Sequence, residues 1–330
     1  MKVLIVGGAG YIGSSIASAC LDDGITPIIL DNLSTGVEAF LAGRESYIGD
    51  MADQVLLDKV FQDHPDIAVA IHCGALIVVP DSVREPLRYY RENVGKSVEL
   101  VDGLVRNGCR RIIFSSTAAV YGQTASLVVD ESLPAAPSSP YGRTKAMLED
   151  ILSDSAEAFG LGVLALRYFN PIGADPQLRT GLQTRRPTHL LGRLIEAAET
   201  GTPLTVTGVD WPTRDGTGIR DYVHVWDLAR AHVAAVRAFD AVCPPGSFVA
   251  ANLGSGAGCT VLEMVEAFAE VSGVRVPVEQ APRRSGDVPG GYARWDRAHD
   301  LFGWRPTLTL RDGIRDALRW IEARPSVLGD

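Results

Sequence analysis

The chain reads as an α/β protein with a Rossmann-type doubly wound parallel sheet, followed by a smaller mixed α/β domain. Three observations predict this. Short apolar runs alternate with helical stretches through the first half of the chain. The cluster Gly7-Gly8-Ala9-Gly10-Tyr11-Ile12-Gly13 follows the first such run and opens the first helical stretch. An acid, Asp31, closes the second run, about 20 residues along.

The elements follow in order. Residues 2–6 are an apolar run ending in glycines, which reads as a buried strand. Residues 11–23 read as a helix with Ile12, Ile16 and Ala19 on one face. Residues 25–30 form a second strand, 47–49 a third, 53–62 a helical stretch and 67–72 a fourth strand. A long helix is predicted over 85–107, a fifth strand over 111–115, a helix over 141–159 and a sixth strand over 162–168. After about Pro171 the rhythm changes. Residues 174–188 are a polar excursion holding Arg179, Arg185 and Arg186. Shorter elements follow: helices at 190–200, 226–239, 261–271 and 311–323, and strands at 204–206 and 248–253.

Composition bounds the function. The chain has 330 residues, 46% of them hydrophobic, enough for a sizeable core without disulfides. Its net charge is −9, from 31 basic and 40 acidic residues, which argues against a nucleic-acid partner. Cys20, Cys73, Cys109, Cys243 and Cys259 are scattered, with no Cys-x-x-Cys pair. That points to a reduced, cytoplasmic protein without structural zinc. The apolar start is cut short by the glycine turn and carries no cleavage-like end, so it is not taken as a signal peptide. No apolar run reaches the roughly 18 residues of a membrane span.

The glycine cluster satisfies Gly-x-Gly-x-x-Gly. Gly7, Gly10 and Gly13 allow a tight turn and close backbone approach, and the helix start offers free N–H groups to a pyrophosphate. Asp31 stands where a carboxylate grips the adenosine ribose hydroxyls. It would repel a 2′-phosphate, so the expected cofactor is NAD rather than NADP. Asp50, after the third strand, reaches toward the adenine or is an ordinary loop acid. His72 ends the fourth strand and is read as structural.

Tyr141 and Lys145 lie four residues apart on one helix face. A cation beside a phenol favours the phenolate, so Lys145 is expected to lower the Tyr141 pKa toward neutrality and make it a general acid/base for hydroxyl–carbonyl chemistry. A drop of about three units needs roughly 4 kcal/mol of electrostatic preference, to be supplied by Lys145 together with the positive nicotinamide. Taken alone, the same spacing also occurs as a plain surface pair. Ser115-Ser116-Thr117 ends the fifth strand, where ligands bind in doubly wound sheets, and a hydroxyl there could pass a proton toward Tyr141.

Together these residues resemble the extended short-chain dehydrogenase/reductases, and within them the UDP-glucose 4-epimerase family. The matching segments are 7–13, Asp31-Asn32-Leu33, 90–94, 114–122, 139–145, 166–173 (Leu-Arg-Tyr-Phe-Asn-Pro-Ile-Gly), 215–227 (Asp-Gly-Thr-Gly-Ile-Arg-Asp-Tyr-Val-His-Val-Trp-Asp) and 281–287 (Ala-Pro-Arg-Arg-Ser-Gly-Asp). The resemblance implies NAD-dependent inversion at C4 of a UDP-hexose through a 4-keto sugar. Thr117, Tyr141 and Lys145 are then catalytic. Tyr11, Ile12, Asn32, Met51, Cys73, Asn93, Ser115 and Tyr168 join the glycines, Asp31 and Asp50 around the cofactor. Asn170, Arg220, Arg284 and Asp287 hold the UDP, with His189, Leu190, Tyr222 and Gly291 also on the substrate side. Residues 1–172 become the NAD-binding domain and 173–330 the UDP-sugar domain, some of whose elements return to the first sheet. Relatives dimerise through helices matching 85–107 and 141–159, so a homodimer is implied.

Departures from the family pattern are informative. Cys73-Gly74-Ala75 stands where the family has Phe-Ala-Gly, and Ile77 where it has a Lys near the cofactor. Thr188-His189 replaces a paired Asn-Asn. Gly291 falls at the position that gates the sugar pocket, which implies room for an N-acetylhexosamine; a one-residue slip would put Tyr292 there instead. Other readings stand beside this one. A dehydratase would want an Asp-Glu pair after the hydroxyls, where Ala118-Ala119 stand. An enzyme for a nucleotide-linked uronic acid would need a carboxylate-binding Arg such as Arg185 or Arg186. A non-catalytic NAD-binding sensor would not need Tyr141 and Lys145 together.

Overall fold

A computed structural model describes residues 1–122, 126–185, 187, 189–283 and 288–329. The first half runs β1 (Lys2–Val6), α1 (Tyr11–Asp22), β2 (Thr26–Asp31), β3 (Glu45–Ile48), α2 (Gln54–Asp63), β4 (Ile67–His72), α3 (Val79–Arg84), α4 (Pro86–Tyr89), α5 (Lys96–Arg106), β5 (Arg111–Thr117), β6 (Val128–Val129), α6 (Pro140–Phe159), β7 (Gly162–Tyr168) and β8 (Asn170–Ile172). The second half runs α7 (Leu190–Thr200), β9 (Leu204–Thr207), β10 (Ile219–Arg220), β11 (Tyr222–His224), α8 (Val225–Val242), β12 (Ser247–Leu253), β13 (Cys259–Thr260), α9 (Val261–Ser272), β14 (Val278–Ala281), β15 (Gly290–Ala293), α10 (Asp296–Phe302) and α11 (Leu310–Leu328).

The central sheet has seven strands in the order β12-β7-β5-β4-β1-β2-β3, and every neighbouring pair is parallel. Strand order reverses between β1 and β4, which opens a crevice at their C-terminal ends. Alternation along the strands explains why these runs are apolar throughout. Val3, Ile5, Ile29, Ile71 and Ile113 face a layer built from α1, α8 and α10. Leu4, Val6, Ile28, Leu30 and Phe114 face the layer of α2, α5 and α6. Each such side chain, fully buried, contributes about 1.5–3 kcal/mol. β12, although late in the chain, pairs along its whole length with β7, and α8 packs beneath the first sheet. A separate core of Leu191, Leu194, Val206, Met264, Phe268 and Ile314 binds the later helices together.

Two segments bear on the site. α6 is punctuated by its sequence: Ser139 caps it by accepting from the Gly142 N–H at 3.1 Å, Pro140 starts its first turn, and Gly160 (φ +65°) ends it. The single helix expected over 85–107 runs without a break from Pro86 to Arg106, through α4, a π turn and α5, with Tyr89, Tyr90, Gly95 and Lys96 all in right-handed helical geometry. Pro86 forces Glu85 out of helical geometry (φ −127°, ψ 55°), and residues Tyr90–Gly95 widen into one π-helical turn before α5. That turn carries Asn93, fully buried, into the site. Among the described residues, no helix is long and apolar enough to cross a membrane.

Candidate functional site

The crevice between β1 and β4 is lined first by the glycine turn. Gly7 has φ +81°, and a Cβ on it would lie 2.7 Å from the Gly74 nitrogen. A Cβ on Gly13 would lie 2.2 Å from the Gly7 carbonyl. Only glycine fits at these two places, so the turn is pulled tightly against the end of β4. α1 then begins at Gly10 with no side-chain cap and no acid in its first turn. Its first N–H groups, from Tyr11 and Ile12 onward, are left for an anion. This uncapped start above a glycine cradle fits the pyrophosphate of a dinucleotide.

Asp31 braces that cradle. Its carboxylate, 8% exposed, accepts from the Ala9 N–H at 2.9 Å and the Leu33 N–H at 2.8 Å. Leu33 itself sits at φ +56°, a strained conformation for a branched side chain that this hydrogen bond helps to hold. Asn32 accepts from Ser34 and hydrogen-bonds Asp50. Asp50 also pairs with Lys96 at 2.6 Å. Met51 lies close enough that a Cβ on Gly74 would be 3.3 Å from its sulfur. Gly7, Gly10, Gly13, Asp31, Asn32, Asp50 and Met51 therefore converge on one rim. Tyr11 closes it from the far side by donating to the Gly173 carbonyl at 2.6 Å.

The second cluster stands where β5 ends and α6 begins. The Tyr141 phenol is hydrogen-bonded to the Thr117 hydroxyl. Lys145, 3% exposed, donates to the Ser115 carbonyl at 2.9 Å and lies 4.7 Å from the centre of the Phe114 ring. The Ser115 hydroxyl is 3.0 Å from the Cys73 sulfur and hydrogen-bonded to Tyr168. Asn93 clasps Leu76 through its N–H (2.8 Å) and carbonyl (2.9 Å) and reaches the Thr144 hydroxyl at 3.1 Å. It thus ties the segment after β4 to α6.

One expectation is corrected here. Lys145 by itself does not bring the Tyr141 pKa toward neutrality. Burial pushes the phenol up to about 12, the Thr117 hydrogen bond works downward, and Tyr89 adds a smaller upward push. The Lys145 ammonium is spent on the Ser115 carbonyl, and burial pulls its own pKa down to about 8. Desolvation outweighs the charge pairing expected from the helical spacing. His72 fits its structural reading: Ser97 gives its proton to the Asn93 carbonyl at 2.5 Å, so the His72 Nε2–H must donate to Ser97 at 2.7 Å.

The substrate-side candidates are placed by short strands. Asn170 on β8 pairs with Tyr222 on β11 and donates from its side chain to the Asp221 carbonyl at 3.0 Å. Arg220 donates to the carbonyls of Ile219 (2.7 Å) and Pro289 (3.0 Å), and Gly290 (φ +95°) leaves the space its guanidinium fills. His189 caps α7 by accepting from Gly192 at 3.2 Å, directly before Leu190. Gly291 lies on β15; a Cβ there would come 2.9 Å from the Leu127 carbonyl. Tyr292, one residue on, packs its ring against Gly258. Arg284, Asp287, Arg186 and Thr188 lie outside the described residues. Arg179, in the polar excursion, is committed to Asp22 (2.6 Å) and Asp175.

Two polar centres escaped the sequence reading. Asp221, fully buried, accepts from the Ser255 and Ala293 N–H groups at 2.9 Å each and ties the β10–β11 junction to the turn after β12 and the end of β15. Burial raises its pKa to about 6. Glu149 and Arg167 form a buried pair behind Lys145. Arg167 alone gave a signal: a charge inside the otherwise apolar run 162–168 has to be paired.

Comparison with known proteins agrees with this geometry. The family model "NAD dependent epimerase/dehydratase family" matches residues 3–251. A UDP-glucose 4-epimerase of Azospirillum brasilense is 44% identical over 322 residues, covering 97% of this chain and 91% of the relative. The structure of UDP-glucose 4-epimerase from Brucella ovis in complex with NAD superposes with TM-score 0.90 at 39% identity, covering 97% and 98% of the two chains. The UDP-Glc/GlcNAc 4-epimerase from Campylobacter jejuni superposes with TM-score 0.82 at 35% identity, covering 97% and 99%. With its glycine cradle, braced Asp31 and Thr117–Tyr141–Lys145 cluster in the matched span, the chain belongs to the NAD dependent epimerase/dehydratase family.

Proposed function

We propose that the chain inverts C4 of a UDP-hexose, interconverting UDP-glucose and UDP-galactose, with NAD as its resident cofactor. The observation that carries this reading is the Tyr141 phenol bonded to Thr117 at the end of β5, beside the glycine cradle at the end of β1. Tyr141 takes the proton of the sugar 4-hydroxyl and later returns one, with Thr117 bridging the two oxygens. Lys145 orients the nicotinamide ribose and keeps positive charge near the phenol. NAD, when bound, accepts and returns the C4 hydride, and its positive ring opposes the burial that holds Tyr141 at about 12. The glycine turn and the start of α1 hold the pyrophosphate, Asp31 the adenosine ribose, and Asn93, Ser115 and Tyr168 the nicotinamide side.

Inversion needs the nucleotide held firmly and the sugar loosely, so that the oxidised sugar turns its other face. Residues 173–330 serve this, with Asn170, Arg220, Arg284 and Asp287 on the UDP. The planar, always-charged arginines suit a pyrophosphate. Gly291 leaves the sugar end open, which suits N-acetylhexosamines as well as hexoses. The free state of all five cysteines supports a reduced, cytoplasmic setting. Val83, Leu87, Val98 and Met147 are each more than 40% exposed on α3–α6, and this apolar face supports a homodimer. The test is proton NMR of the purified protein with UDP-galactose and no added reductant. UDP-glucose should accumulate to equilibrium; no inversion, even with NAD added, contradicts the reading.

A further inference from the structure

Helix α6 carries Tyr141, Lys145 and Glu149 at successive spacings of four, so the three stack along one face. The first two have roles above. Glu149 is 5% exposed, and that mechanism does not use it. A carboxylate this deep needs partners. Arg167 supplies two hydrogen bonds, Nε to Oε1 at 2.9 Å and Nη2 to Oε2 at 2.5 Å. Ser116 supplies the third, Oγ to Oε1 at 2.5 Å. Ser116 and Arg167 are themselves register partners on β5 and β7.

Strand alternation explains the choice of Ser116. Ser115 and Thr117 point to one face of the sheet and Ser116 to the other. Ser115 meets Cys73, and Thr117 meets Tyr141. Ser116, between them, is the hydroxyl turned toward α6, and Glu149 holds it. The strand end fixed in this way presents both the Ser115 carbonyl that takes the Lys145 ammonium and the Thr117 hydroxyl that takes the Tyr141 phenol. The network continues away from the site: Arg167 donates to the Tyr121 hydroxyl at 3.0 Å, and Tyr121 donates to Asn252 on β12 at 2.7 Å.

We propose that Glu149 is a positioning residue for the Tyr141–Lys145 pair, setting where α6 sits along β5 through its bonds to Ser116 and Arg167. The inference rests on the reading of Tyr141 as the acid/base. Its negative charge also favours the Lys145 ammonium against burial. The other titratable groups that bear on the pair are Tyr89 on α4, His72 and Cys73 at the end of β4, and Tyr168 on β7. Among these groups and Glu149, only Glu149 joins α6 to β5 directly.

Removing Glu149 alone would strand a buried guanidinium, so the test uses paired changes. Glu149→Leu/Arg167→Met removes the ion pair and the bond to Ser116 together. Glu149→Gln/Arg167→Met keeps an amide oxygen for Ser116, and Ser116→Ala deletes only the hydroxyl, which guards against loss of folding in the first variant. Each is purified with NAD and checked by melting and NAD content. Phenolate ultraviolet difference absorbance, with Tyr141→Phe as blank, gives the Tyr141 ionisation midpoint; kcat and KM are measured alongside. We expect the Leu/Met and Ser116→Ala variants to raise the midpoint by about one unit and lower kcat about tenfold, with KM within about twofold. The Gln/Met variant should recover most of the loss. Folded, NAD-loaded Ser116→Ala or Leu/Met protein with an unchanged midpoint and kcat would overturn the proposal, as would a Gln/Met variant no better than Leu/Met. The midpoint needs no sugar, so it still decides the matter if the wild type inverts no UDP-hexose and the functional reading itself falls.

Discussion

The Lys145 ammonium donates to the main-chain carbonyl of Ser115 at 2.9 Å. The cation is therefore anchored to the strand that presents Thr117, and the phenol four residues earlier in α6 is governed by burial. Tyr141→Phe should lower kcat by about 10²–10⁴, the usual worth of a positioned acid/base, while NAD content stays near that of the wild type. Lys145→Met removes the bond to Ser115 and should weaken NAD retention, with activity falling alongside it. Turnover of Tyr141→Phe within about threefold of the wild type would remove the phenol from the chemistry.

Asp31 accepts from both Ala9 and Leu33, so it holds the glycine turn as well as facing the expected ribose. Asp31→Asn keeps the shape but must turn an NH2 group toward one of those N–H donors. Leaving a buried donor unpaired costs about 1–3 kcal/mol. Calorimetric titration should show NAD binding at least about tenfold weaker, with a lower melting temperature. Unchanged affinity would mean that the carboxylate serves the loop alone.

His72 gives a pH prediction. Its Nε2–H is committed to Ser97, its Nδ1 has no partner among the described residues, and burial lowers its pKa to about 3. Below its ordinary value of 6.5 the unfolded chain takes up a proton that the folded chain refuses, so stability falls as pH drops from 6.5 toward 3. One such proton contributes a slope of about 1.4 kcal/mol per pH unit. His232, lowered to about 4 by burial, adds to the upper part of that window. Chemical denaturation between pH 6.5 and 4 should show the loss, and His72→Gln should flatten the slope by about one proton.

Gly291 tests sugar selectivity. A side chain there presses on the Leu127 carbonyl, so Gly291→Ala measures the backbone cost and Gly291→Tyr adds the bulk. We expect Gly291→Tyr to lower turnover of UDP-N-acetylgalactosamine by more than about tenfold relative to UDP-galactose. Each rate is compared with that of Gly291→Ala. N-acetyl turnover that survives undiminished would move the gate to another residue.

The apolar face on α3–α6 tests assembly. Val83→Glu/Leu87→Glu places two charges where 63% and 65% of these side chains are exposed. Light scattering should give a dimer for the wild type and a monomer for the variant, with melting otherwise little changed.

Much of this fold was legible because its strands are buried on both faces and read as unbroken apolar runs; β1, β4 and β7 fall where those runs predict. The glycine turn, Asp31 and the Tyr141–Lys145 spacing were equally plain. The helix expected over 85–107 is present from Pro86 to Arg106; only its widening into a π turn at Tyr90–Gly95 left no mark in the apolar pattern. The two-residue strands β6, β10 and β13 carry no periodic signal at all. Glu149 was missed because an acid four residues after a lysine looks like a surface helix pair. Its burial becomes visible only when Arg167, from β7, is placed beside it.

In the proposed reaction, hydride leaves C4 and returns to the same sugar carbon within one site, with Tyr141 handling the proton. UDP-galactose deuterated at C4, incubated with the NAD-loaded protein, gives the most direct test. The UDP-glucose formed should keep its deuterium at C4, with no label in solvent and none exchanged into unlabelled NADH added to the mixture. Loss of the label to water, or its appearance in the added NADH, would contradict it.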